Sequence, residues 1–272
     1  MPGMSSALLL GLALAPLGGL LAHHAGRVVV LFTAHDPGDG DDTGPDDAPG
    51  PPPPSLPGSG RAVPWARWSP LPWRLVLTGR GPGAERVAAP WPVVVGAAAA
   101  FAAVGFCGAQ RSAAEIAALA FLALWGTLLT AVDLRVQRLP DALVRPAYPV
   151  ALALLAAAAL TTPSGTSSAV GALVGMAGMW AVYWLLWFVY PPGMGWGDVK
   201  LSGLVGLHLG WFGLDTAVAG AAAAFLLFTC VGLVLIALGR AGRRTQIPFG
   251  PFMIGGALLV ILLGDSLPLL TE

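Results

Sequence analysis

Residues 113–141 read AAEIAALAFLALWGTLLTAVDLRVQRLPD. Up to Val132 the segment stays apolar for the roughly 20 residues that a bilayer crossing requires, and at Asp133 it passes into a short polar stretch with Arg135 and Arg138. The same transition recurs 65 positions later, where Gly195-Trp196-Gly197-Asp198-Val199-Lys200 interrupts another long apolar run. An ionisable group at the edge of a hydrocarbon layer is costly and marks a functional site by default. Two carboxyls that meet make an acid/base pair. The fold therefore turns on how many membrane crossings separate Asp133 from Asp198.

The composition of the 272-residue chain agrees with that reading: 56% of residues are hydrophobic and 10% charged, with a mean hydropathy of +0.75. Such a chain is predicted to be an all-α polytopic membrane protein. Eight spans are predicted, at roughly residues 6–33, 91–109, 112–132, 147–163, 168–190, 199–214, 216–238 and 252–270. The net charge is zero, but the fourteen basic residues are unevenly placed. Arg27, Arg61, Arg67, Arg74, Arg80 and Arg86 end the first span or follow it. Arg135, Arg138 and Arg145 follow the third, Lys200 the fifth, and Arg240, Arg243 and Arg244 the seventh, whereas Arg111 alone occupies an even-numbered loop. By the positive-inside rule the odd-numbered loops face the cytoplasm and both termini lie on the other side. Two complete spans separate the aspartates, and an even number of crossings returns the chain to the leaflet it left, so both are predicted at the cytoplasmic face.

Three regions follow: a first transmembrane helix (1–33), a cytoplasmic loop (34–90) and a transmembrane domain (91–272). The run from Ala7 to Ala22 resembles a secretory signal in hydrophobicity, but Met1–Ser6 has no basic residue and no small-x-small cleavage site follows, so a retained helix is the better reading. From His35 to Gly60 the six aspartates and the run Pro51–Pro54 predict a flexible acidic linker. From Arg61 to Arg86, arginines interleave with Trp65, Trp68 and Trp73, the mix expected of a segment lying in the lipid headgroup layer. Gly171, Gly175 and Gly178 follow small-x-x-x-small spacing and predict close helix packing. Cys107 and Cys230 fall in or at the end of spans and are expected to be free, buried thiols. No zinc-ligand set occurs, and no metal or cofactor is expected. The loop-distributed basic residues, balanced by equal acid, give no support to nucleic-acid binding.

Amide hydrolysis needs an activated water and a proton donor for the leaving nitrogen, and two carboxyls sharing one proton supply both. Around Asp198, Pro191, Pro192 and the glycines at 193, 195 and 197 cannot continue a helix, and non-helical backbone at membrane depth must line a protein-walled or watery cavity. Asp198 also fits as an ordinary N-cap of the next helix, and Asp133 as a solvated helix-end residue neutralised by Arg135 or Arg138. Asp141, after Leu139-Pro140, reads as the N-cap of a short helix entering the next span, not as a catalytic group.

Taken together, Asp133 with Leu139-Pro140-Asp141, then Gly195-x-Gly197-Asp198-x-Lys200-Leu201, and finally Ile247-Pro248-Phe249-Gly250-Pro251-Phe252, resemble the type IV prepilin peptidases, a Gly-x-Gly-Asp class of intramembrane aspartyl proteases. The resemblance covers about residues 91–270. It implies Asp133 and Asp198 as the catalytic pair, with Pro140, Asp141, Gly195, Gly197, Lys200, Pro248, Phe249 and Gly250 shaping the site. It also implies prepilin or pseudopilin precursors as substrates, cut at the cytoplasmic face of the inner membrane within surrounding lipid. Many such proteins carry Cys-x-x-Cys pairs and an N-methyltransferase activity in the first cytoplasmic loop. Residues 34–90 here contain no cysteine, so peptidase activity alone is expected. The rival class is an ion-coupled transporter, which also places aspartates beside Pro/Gly-broken helices. It predicts midplane carboxyls and a repeat between halves, neither of which the sequence shows; a helix-gathering scaffold would be indifferent to both aspartates. Oligomeric state is not encoded in any of these features.

Overall fold

A computed structural model describes residues 2–31, 88–108, 111–137, 139–242 and 245–264. The predicted acidic linker and the Trp/Arg segment lie outside the described residues. Among those described there is no strand, and eight α-helices follow one another: α1 (Pro2–Ala25), α2 (Trp91–Cys107), α3 (Ala113–Val136), α4 (Asp141–Thr161), α5 (Gly165–Val189), α6 (Trp196–Phe212), α7 (Leu214–Ala237) and α8 (Gly250–Gly264). A 3₁₀ turn, Gly26–Leu31, extends α1, and another, Pro191–Gly193, precedes α6. The first helical segment, α3, α4, α5 and α7 are long and apolar enough to cross a membrane, and α2 and α8 are shorter apolar helices. The protein is thus an all-helical, multi-pass membrane bundle.

Helix α6 is its central pillar. Every residue from Asp198 to Trp211 except Lys200 is buried, as expected of a helix that is hydrophobic nearly all round and enclosed by others. By contrast α7 buries only Ala217, Gly220 and Ala224 and presents Val218, Leu226, Leu233, Val234 and Ile236 outward. In water such a face would demand cover, whereas in lipid it is the ordinary exterior.

The tightest crossing joins α5 to α6. A Cβ on Gly171 would lie 2.5 Å from the Gly210 carbonyl oxygen, and one on Gly175 the same distance from that of Gly206. Backbones this close leave no room for side chains, and dispersion between them supplies association energy that lipid cannot. The predicted small-residue stripe is therefore real at Gly171 and Gly175 but not at Gly178, which has open space beside it.

Local capping sets the ends. Ser112 Oγ accepts the Glu115 N–H at 3.2 Å and Glu115 Oε2 accepts the Ser112 N–H at 2.9 Å, a capping box at the start of α3. The other Glu115 oxygen accepts the Trp211 indole N–H at 3.0 Å and so ties α3 to the far end of α6. There the chain reverses through one residue, Gly213, whose φ of 139° is open only to glycine. Trp125 donates to the Leu143 carbonyl at 2.9 Å and joins α3 to α4.

Several predicted boundaries move. Helix α3 runs to Val136, so Asp133 lies in its last turn and not beyond it. Helix α4 is one continuous helix from Asp141 despite Pro146 and Pro149, so no separate short helix enters the span. Cys107 and Cys230 form no disulfide among the described residues, but neither is fully buried, and Cys230 is exposed on α7. A leucine at Gly175 is expected to force α5 from α6 and lower stability by about 1–3 kcal/mol, whereas valine at Gly178 leaves it unchanged. Thermal melting of the two purified variants in one detergent distinguishes them.

Candidate active site

Three chain segments meet at one end of the bundle: the end of α3, the start of α6 and the start of α8. Asp133 and Asp198 are both buried there, at 4% and 8% exposure. They line two adjoining cavities of about 520 and 490 Å³ that share Asp133, Gln137, Gly195 and Asp198. The first cavity continues along Leu139, Asp141, Trp196, Gly197 and Lys200. The second runs between Pro191–Gly195 and Thr245–Phe249, with Phe225 and Phe228 from α7 as its apolar wall. Carboxyls 65 positions apart in sequence therefore share one cleft.

Each carboxyl lies against backbone. Asp133 Oδ2 accepts the Gly250 N–H at 3.1 Å, at the first residue of α8. A Cβ on Gly250 would lie 2.6 Å from that oxygen, which explains why the Pro-Phe-Gly-Pro-Phe segment has glycine at its centre. Asp198 is the third residue of α6, not its N-cap; Gly195 is the N-cap, in extended conformation. The Asp198 carboxyl turns back over the Gly195 backbone, its Oδ2 3.2 Å from the place a Cβ on Gly195 would occupy. Gly197 instead permits close packing, since a Cβ there would lie 2.9 Å from that of Leu139. The two glycines of Gly-x-Gly-Asp thus free one face for the carboxylate and let the helix start rest on the α3–α4 connection.

Asp141 is the first residue of α4, with Pro140 as its N-cap, which corrects the predicted N-cap at Asp141. Its carboxylate pairs with Lys200 and with Arg145 one turn along. Lys200 is thereby drawn to the rim, and its carbonyl accepts the Tyr148 hydroxyl at 2.5 Å. Pro248 and Phe249 line the second cavity. Phe249 packs against the rings of Tyr183, Phe225 and Phe228 at centroid distances of 6.1, 5.0 and 5.4 Å.

Sequence reasoning missed three contributors. Gln137 ends α3 in left-handed conformation, with φ of 52°, and its side-chain amide donates to the Gln246 carbonyl at 3.0 Å, fastening the α8 approach to the end of α3. A polar residue just past an apolar run, where glycine is the usual choice, was the available signal. Trp196 packs on Trp187 at 4.7 Å beside the first cavity. Tyr183 is wholly buried on α5 and was invisible among apolar neighbours.

The bundle thus brings two carboxyls into one cleft by way of a glycine-broken helix start. Residues 120–242 match the model of the type IV leader peptidase family. The chain is 34% identical over 149 residues to a prepilin leader peptidase/N-methyltransferase from Stutzerimonas stutzeri, covering 53% of this chain and 48% of the relative. It is 33% identical over 162 residues to the protein of that name from Pseudomonas putida (58% and 54%). A third, from Burkholderia pseudomallei, is 34% identical over 167 residues (57% and 49%). The chain spans about half the length of these curated relatives. No solved structure gives a match.

Alanine at Gly250 is expected to push the Asp133 carboxyl from its place and lower stability by about 1–3 kcal/mol, the scale of overpacking a close contact. Alanine at Gly255, which has open space around it on the same helix, is expected to be silent. Thermal melting of the two variants, purified in one detergent, decides the point.

Proposed function

We propose that the protein is a membrane-embedded aspartyl endopeptidase that removes the leader from type IV prepilin-like precursors, with Asp133 and Asp198 as its catalytic pair. The observation that carries this reading is the shared cleft: two buried carboxyls border the same cavities, and that of Asp133 is held by the Gly250 N–H. One carboxylate takes a proton from the attacking water. The other, protonated, polarises the scissile carbonyl and then protonates the departing nitrogen. A single shared proton suits the pair to this work, because two adjacent buried carboxyls resist ionising together.

The basic residues of the odd-numbered loops support a cytoplasmic orientation for this cleft in the inner membrane, with both termini on the opposite side. On that arrangement the apolar helix of the precursor lies in the bilayer against the bundle while its leader reaches the cleft from the aqueous side. The N-methyltransferase part of the relatives' name is not carried over, because residues 34–90 hold no cysteine pair resembling the motif of the methylating proteins. Asp141, committed to Lys200 and Arg145, shapes the rim without entering the chemistry.

Co-expression with a pilin-like precursor tests the assignment. Alanine or asparagine at either Asp133 or Asp198 is expected to abolish leader removal with insertion unchanged, and cleavage surviving in one of them removes that residue from the mechanism. Asp141→Asn is expected to slow processing by no more than about tenfold, the range for losing a partly exposed ion pair. The readout for all of them is the electrophoretic shift of the processed precursor.

A further inference from the structure

The contact between α5 and α6 has a regular antiparallel register. Gly171 faces Gly210 and Gly175 faces Gly206. One turn nearer the cleft, Ser202 Oγ, which donates to the Val199 carbonyl at 2.8 Å, lies 3.4 Å from the Met179 carbonyl oxygen. The same register carried one turn further places Tyr183 opposite Asp198. The ring of Tyr183 is pinned between Phe225 and Phe249, at centroid distances of 5.8 and 6.1 Å, and both phenylalanines line the cavity that Asp133 and Asp198 border. Tyr183 is fully buried, and its hydroxyl has no hydrogen-bond partner among the described residues. Buried hydroxyls without partners are rare, and those found at sites of chemistry tend to be donors whose bonds tighten in use.

We infer that Tyr183 is a positioning residue whose hydroxyl, unpartnered in this structure, closes onto the Asp198 carboxyl as a hydrogen-bond donor, fixing its orientation and biasing which member of the pair carries the shared proton. The inference rests on the proposed peptidase reading for its consequence in catalysis, but the contact itself does not. The ionisable groups around Asp198 are Asp133 from α3, Asp141 from α4 with its partner Lys200 on α6, and Tyr183 from α5. Among these, Lys200 is committed to Asp141, which leaves the phenol as the donor nearest in register to Asp198. A donor to a carboxylate favours the ionised form, so its loss makes the pair harder to ionise.

The test is Tyr183→Phe, which keeps the ring and deletes the donor. Expected is a fall in kcat of about ten- to a hundredfold, the range for a hydrogen bond to a charged group, with KM within about twofold. Both limbs of the pH–rate profile are expected to move to higher pH, which a purely structural defect does not produce. A kcat within twofold of the parent with unmoved limbs overturns the inference while leaving the peptidase reading in place, since Asp198→Ala on the same precursor still reports that reading. Infrared titration of carbon-13-labelled aspartate in the uncleaved resting protein gives a readout independent of turnover. A Tyr183-dependent carboxyl band supports the contact even if the parent cleaves no precursor, and identical bands in parent and variant overturn it. Should Tyr183→Phe fail to insert, site-specific 3-fluorotyrosine at 183 makes the phenol a stronger donor at nearly constant size. The limbs are then expected to move to lower pH, and unmoved limbs overturn the inference.

Discussion

The bundle is organised by one constraint, the backbone contact between α5 and α6 through Gly171, Gly175, Gly206 and Gly210. In lipid, apolar side chains gain little by leaving one apolar solvent for another, so helices associate where backbones can approach. Here that approach fixes both separation and register. It sets the height of α6 in the bundle and hence the level at which its first turn, with Asp198, meets the end of α3 and the start of α8. Ties at the other end, from Glu115 to Trp211, keep the pillar from sliding.

Around the cleft, charge is sorted rather than merely present. The cations Lys200 and Arg145 converge on Asp141 at the partly exposed rim. The deeper carboxyls are instead met by backbone, Asp133 by the N–H of Gly250 and Asp198 by the Gly195 segment it turns back over. Backbone donors orient a carboxyl without supplying a full counter-charge. A guanidinium in the same place would stabilise the ionised state strongly and disfavour a shared proton. The glycine at each contact is what permits the backbone to come so close.

Much of this was legible in the chain. Long apolar runs marked the helices, and the Pro191–Gly195 break marked the place where a helix restarts at the cleft. The evenness of the crossings between Asp133 and Asp198 required both to emerge at one end, as they do. What was not legible depended on three-dimensional neighbours. Asp141 could not be told from an N-cap, because Pro140 takes that position without offering a side-chain acceptor. Gly178 continues the small-residue run of Gly171 and Gly175 but has open space beside it. Tyr183 carries no signal of its own in an apolar run, and its meaning comes only from the residue opposite. Glu115, one acid in a predicted span, is explained by Ser112 and Trp211, two partners 3 and 96 positions away.

Helix α6 has 17 residues, which at a rise of 1.5 Å give a length of about 26 Å. A typical hydrocarbon core is about 30 Å thick. One of the three helix ends that frame the carboxyls therefore belongs to an element too short to reach both headgroup layers. Because α6 is enclosed by its neighbours, the shortfall is met by recession of an end below the surface. Recession of its first turn sets Asp198 at the floor of a protein-walled depression, and the depth of that depression follows from the length of one buried helix.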